Sequence, residues 1–157
     1  MSINDLVNVR EFKKEDLNFI LSSSILSLSK YKESIIKGQD QPTAYNYLEK
    51  QILFALNYLS YSVFIACDSK DSDNIIGYIV ADTLTNHIFL QYTKYNYRGL
   101  GIQKHLLLPL VTDPNEIITV NWPTKEMLKL VSQGKVNIQN KLVESMIEQM
   151  SEFLNEN

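Results

Sequence analysis

The 157-residue chain carries a formal net charge of -3, 45% hydrophobic residues and a single cysteine, Cys67. A chain of this length buries roughly 70% of the surface its unfolded form exposes, so one domain over 1–157 needs neither disulfide nor structural metal. Mild acidity argues against nucleic acid as a partner, no run of about 18 apolar residues predicts a membrane span, and the opening MSINDLVNVREF has no export signal, which predicts a cytoplasmic protein.

Residues 7–12, VNVREF, alternate in character and predict a first strand. The acidic pair Glu15 and Asp16 then suits a helix start, and Leu17, Ile20, Leu21, Ser24, Ile25 and Leu28 recur at helical spacing. Pro42 fits the first turn of a second helix, where its missing N–H has no partner to lose. Tyr45, Leu48, Ile52, Leu56 and Leu59 form that helix's buried stripe. From residue 61 the period changes: YSVFIAC, IIGYIVADT and HIFLQYTK predict three antiparallel strands joined by hairpin connections at DSKDSDN and LTN. YNYRGLG breaks the pattern, and GIQKHLLLPLV predicts a helix that opens at Gly101 and bends or ends near Pro109. IITVNW is a fifth strand. The remainder predicts helix, with Leu142, Val143, Met146, Ile147, Met150, Phe153 and Leu154 on one wide apolar face. The resulting division is a core over 1–121 and a helical extension over 122–157.

Chemistry concentrates at Arg98-Gly99-Leu100-Gly101. A glycine-rich turn between a strand and a helix presents several backbone N–H groups to an anion, and the helix start adds partial positive charge. Gly99 and Gly101 permit the backbone angles this needs, and Arg98, one of only two arginines, can add charge-assisted hydrogen bonds. A P-loop is excluded because no GxxxxGK followed by Ser or Thr occurs. GLGIQK lacks the third glycine of a dinucleotide fingerprint. Asp68, Asp71 and Asp73 lack the closing Glu of a calcium loop, no metal site is expected, and Cys67 is expected to be a buried, inert thiol.

YTKYNYRGLGIQKHLL resembles the acyl-CoA motif of the GNAT superfamily, the Gcn5-related N-acetyltransferases. Arg98 and Gly101 match two positions of that motif, whereas Gln103 stands where the family prefers Gly or Ala. The element order over residues 7–121 is similar to the same fold. The resemblance implies an α+β protein with a mixed, mainly antiparallel sheet of about five strands flanked by helices, the helical C-terminus replacing the usual last two strands. It also implies acetyl-CoA as cosubstrate. The amides of Arg98, Gly99, Leu100, Gly101, Ile102 and Gln103 would cradle the pyrophosphate, and the backbone of Leu90, Gln91, Tyr92 and Thr93 would meet the pantetheine arm. The Gln103 side chain either points away or donates an amide hydrogen bond.

Acetyl transfer to an amine needs a neutral nucleophile, a polarised thioester carbonyl and a proton source for the departing thiolate. The fourth strand, HIFLQYTK, has no acid, which leaves His87 as the candidate base, with Glu11 and Asp82 as further acids if they face the cleft. The Tyr that many family members carry seven residues past an Asn is missing: counting from Asn121 reaches Leu128. Tyr92 is therefore the candidate proton donor, with Tyr95 and Tyr97 behind it, and His105 is expected to face away from the thioester. The acceptor is an amine of a small molecule or a protein. The alternative is an inactive GNAT-like CoA-binding or virion-associated interaction protein, a reading fed by likeness to compact GNAT-like proteins of bacteriophage genomes, which would place it in the host cytoplasm. The last helix either covers the sheet edge or pairs with a second copy as a homodimer.

Overall fold

A computed structural model describes residues 2–28, 40–107, 117–120 and 137–140, the last two stretches by backbone alone. A short helix α1 (Ile3–Leu6) leads into β1 (Val7–Glu11). A single 3-10 turn at Lys14–Asp16 then starts α2 (Leu17–Leu28). Helix α3 spans Gln41–Tyr58. Its start is capped by Asp40, whose carboxylate accepts the Thr43 N–H at 2.9 Å, and Pro42 sits in its first turn as expected. Strands β2 (Tyr61–Asp68), β3 (Asp71–Asp82) and β4 (His87–Thr93) follow. A 3-10 turn (Tyr95–Tyr97), helix α4 (Ile102–Leu107), β5 (Ile117–Val120) and β6 (Asn137–Asn140) complete the order.

The sheet runs β1-β2-β3-β4-β5-β6. The first four strands form an antiparallel meander. β5 lies parallel to β4 because the connection between them carries a helix, which returns the chain to the same end of the sheet. Helices cover both faces. On one side Ile20, Leu21, Leu48, Ile52 and Ala55 of α2 and α3 meet Ile65, Tyr78, Val80, Phe89 and Leu90; on the other Ile102 and Leu106 of α4 meet Val7, Ala66, Ile79 and Ile88. Double coverage explains why β3 is buried without interruption from Ile75 to Asp82.

Two expectations change. The polar stretch DSKDSDN is not one loop: the connection is Ser69–Lys70, and Asp71–Asn74 already belongs to β3, whose exposed start needs no apolar residues. Residues 137–140, expected to be helical, form a sixth strand parallel to β5. Ile138 flanked by polar neighbours suits a strand, and β5 offers an edge for its backbone groups, a partner no local periodicity announces. The rest of the helical extension, and the bend near Pro109, lie outside the described residues. Among the described residues no helix is long and apolar enough to cross a membrane.

Candidate functional site

The site is built on β4. Its register against β3 runs Gly77↔Thr93, Tyr78↔Tyr92, Ile79↔Gln91 and Val80↔Leu90, then shifts to Ala81↔Ile88. Phe89 is therefore an extra residue, a β-bulge, and it and Leu90 both pack into the core beneath α2 and α3. The Lys94 N–H donates to Ile76 O at 2.8 Å, which sets the alternation of backbone groups along this end of the strand. The amides and carbonyls of Gln91 and Thr93 consequently lie on the edge away from β3. The described ladder to β5 has two pairs, His87↔Thr119 and Ile88↔Val120, both before the bulge. The course of the chain beyond Val120, and with it any splaying from β4, lies outside the described residues.

Beyond β4 the chain makes the expected glycine turn. Gly99 and Gly101 have φ of 80° and 83°, a region that costs any other residue about 1–2 kcal/mol. A Cβ at Gly99 would meet nothing within 4 Å, so the turn has open space beside it. Gly101 O accepts the His105 N–H at 3.0 Å, which makes Gly101 the residue from which α4 starts. Arg98 is exposed; its Nε donates to Thr93 O at 3.0 Å and its guanidinium carbon stands 5.6 Å from the Tyr95 ring centre. Gln103 turns inward: its Nε2 donates to Tyr92 O and to Thr93 Oγ1, each at 2.9 Å. The side chain thus points away from the outside of the turn, as one of the two expectations had it, and its amide hydrogen bonds go to β4. Leu100 is half exposed, and Ile102 is buried against the sheet.

The bulge also governs the two candidate catalytic groups. Five residues apart, His87 and Tyr92 would face opposite sides of a regular strand. The extra residue brings both onto the α2 and α3 side: His87 meets Tyr61 edge to face at 6.2 Å, and Tyr92 stacks on Tyr78 at 5.6 Å with Phe19 edge-on at 6.0 Å. The strand still separates them by roughly 15 Å, so they do not converge on one bond. His87 is paired across the sheet with Asp82. Burial alone would push the Asp82 carboxyl up, but hydrogen bonds from Thr85 Oγ1 (2.8 Å), the Leu84 N–H (2.9 Å) and Ser60 outweigh it and hold it below the usual carboxylate range. The Tyr61 phenol is pushed up by burial and by the Asp82 charge.

The remaining candidates are placed elsewhere. Glu11 is exposed on β1, three strands from β4. Tyr95 is exposed, Tyr97 packs in the α4-side cluster and His105 lies half-buried in α4. Cys67 is buried, its thiol donating to Asn8 O at 3.5 Å. Among the described residues no group of three or more His, Cys, Asp or Glu could hold a metal ion. Sequence reasoning missed the bulge and the role of Gly77. The unbroken apolar run HIFL and the isolated glycine in IIGYIVAD were the available signals for them.

No model of a known protein family matches the chain, and no curated protein matches it in sequence. Solved structures do match in shape. The histone acetyltransferase HPA2 and related acetyltransferase of Corynebacterium glutamicum superposes with a TM-score of 0.54 at 14% identity, over 82% of this chain and 83% of that one. A possible acetyltransferase from Clostridium difficile 630 gives 0.53 at 16% identity, over 87% and 95%. A Gcn5-related N-acetyltransferase from Rhodopseudomonas palustris gives 0.52 at 18%, over 82% and 80%. The fold is that of the GNAT acetyltransferases. At these identities the likeness is one of architecture.

Proposed function

We propose that this protein binds an acyl-CoA, acetyl-CoA above all, and transfers the acyl group to an amine. The observation that carries the reading is the meeting, at the end of β4, of an open positive-φ glycine turn with a strand edge that presents the Gln91 and Thr93 backbone groups. The amides of residues 99–103 hold the pyrophosphate, with the terminal nitrogens of Arg98 beside them; the Arg98 N–H itself is taken by Tyr95 O at 3.2 Å, which corrects its expected place in the cradle. The backbone of Leu90 to Thr93 pairs with the amides of the pantetheine arm. That course brings the thioester toward the bulge at Phe89.

The incoming amine gives up its proton to His87 and attacks the thioester carbon. The tetrahedral adduct then collapses, the C–S bond breaks, and the thiolate takes a proton from water, because Tyr92 lies too far along the strand from His87 to serve the same bond. The products are the amide and free CoA.

Calorimetry and thermal shift with acetyl-CoA, CoA and desulfo-CoA test the binding half, on wild type and on Arg98→Ala. Ligand at 100 times its dissociation constant stabilises by about 2.7 kcal/mol. Mass spectrometry of an amine panel tests transfer. No stabilisation by any CoA species at millimolar concentration overturns the reading.

A further inference from the structure

Gln103 departs from the small residue of the motif, and the departure has a structural use. Its side chain is 2% exposed and runs from the first turn of α4 onto the end of β4. A backbone carbonyl only accepts, so the atom on Tyr92 O must be the amide nitrogen, which also donates to Thr93 Oγ1. Gly77 makes room: a Cβ there would lie 2.6 Å from Tyr92 O and 3.4 Å from Ile102 Cγ2. Arg98 Nε grips the carbonyl of the same Thr93 from the other end of the turn. Gln103 Oε1, by contrast, is buried with no partner among the described residues, a penalty that an apolar side chain of the same length would avoid. What the carboxamide adds over such a side chain is the pair of bonds made by its nitrogen.

We infer that Gln103 is a positioning residue that pins the glycine turn to the end of β4, so that the anion-holding and strand-pairing halves of the site keep one register. This rests on the acyl-CoA reading for its ligand arm, because only a ligand spanning both halves profits from the pin. Gln103→Met keeps the length and removes the donor. Gln103→Glu restores a donor only when its carboxyl is protonated, which burial beside a carbonyl favours.

The test measures CoA and ADP affinity by calorimetry, and backbone order parameters of Gly99–Ile102 in the ligand-free protein. Gln103→Met is expected to lose about tenfold in CoA affinity and to change ADP, which meets the turn alone, by less than about threefold. Gln103→Glu is expected to match Gln103→Met near about pH 8 and to recover toward wild type near about pH 5, while Gln103→Met shows no such recovery. Order parameters at the turn are expected to fall in Gln103→Met. Equal losses for CoA and ADP, or unchanged affinity with unchanged order parameters, overturn the inference. If wild type binds no CoA, the acyl-CoA reading fails, and the order parameters alone decide the pin: a fall supports it and no change overturns it. If Gln103→Met does not fold, the pH comparison in Gln103→Glu decides in its place.

Discussion

Gly77 lies so close beneath the Tyr92 carbonyl that a Cβ at position 77 would fall 2.6 Å from the oxygen. The obstacle is backbone and cannot swing aside, and Ile102 Cγ2 closes the other side at 3.4 Å. Strand preference alone favours alanine over glycine by roughly 0.5–1 kcal/mol. Overpacking works the other way and is larger, so Gly77→Ala is expected to destabilise by about 1–3 kcal/mol. Urea unfolding monitored by Tyr fluorescence checks the sign. A variant as stable as wild type would show that α4 sits on the sheet more loosely than these distances require.

That contact marks where sequence reading reaches its limit. The strand character of IIGYIVAD, the helical stripes of α2 and α3 and the turn at Gly99 and Gly101 are local properties, written in periodicity and in residue type. The shared face of His87 and Tyr92 depends on Phe89 being skipped by the β3 ladder, a register event between two strands. The inward turn of Gln103 depends on a missing side chain on β3, 26 positions earlier in the numbering. Strand β6 depends on β5 being beside it. In each case the deciding atom belongs to a distant segment.

Arg10 and Asp16 lock β1 to the start of α2. The guanidinium is bidentate on the carboxylate, 2.8 Å at each nitrogen, and Asp16 also accepts the Lys13 N–H at 2.7 Å. Arg10 Nε adds a bond to Ser72 O on β3. Burial pushes the Asp16 carboxyl up, but the Arg10 hydrogen bonds and the Lys13 amide outweigh it, so its pKa is lowered on folding. A lowered pKa stabilises the fold above the ordinary Asp value, near about 3.9, and that contribution disappears as pH falls through the folded value. Asp16→Asn is expected to cost about 1–3 kcal/mol at neutral pH, and to show a shallower loss of stability below about pH 4 than wild type. Melting curves across that range measure both effects, and parallel acid profiles would refute the assignment.

The Tyr78 phenol is fully buried, donates to Ile20 O at 3.0 Å and stands 2.7 and 2.8 Å from the Ser23 and Ser24 hydroxyls. Burial raises its pKa above the ordinary Tyr value near about 10. A raised acid is neutral in the fold while the unfolded chain already ionises, so its contribution is complete below about pH 10 and is lost as pH rises further. Tyr78→Phe keeps the ring against Tyr92 and removes the hydroxyl. The expected cost is about 0.5–1.5 kcal/mol at neutral pH, with a flatter alkaline limb in the melting temperature. An alkaline limb as steep as that of wild type would move the titration to another tyrosine, with Tyr61 the first to examine.

His87 and Tyr92 are expected to contribute unequally to acyl transfer. An alkylamine near neutral pH is almost wholly protonated, so the attack waits on proton removal, and a positioned base of this kind supplies roughly 10²–10⁴-fold. A thiolate is a far better leaving group: a thiol has a pKa near about 8.5, and its departure needs little help from an acid. His87→Ala is therefore expected to lower kcat/KM by about 10²-fold or more and to leave CoA affinity unchanged. Tyr92→Phe, which preserves the stack on Tyr78 and lies roughly 15 Å along the strand from His87, is expected to leave kcat/KM within about threefold. Steady-state rates for both variants between about pH 6 and 9, with any amine that wild type acetylates, decide the matter. A His87→Ala enzyme with the wild-type kcat/KM removes His87 from the chemistry and leaves Asp82, its cross-strand neighbour, as the next residue to replace.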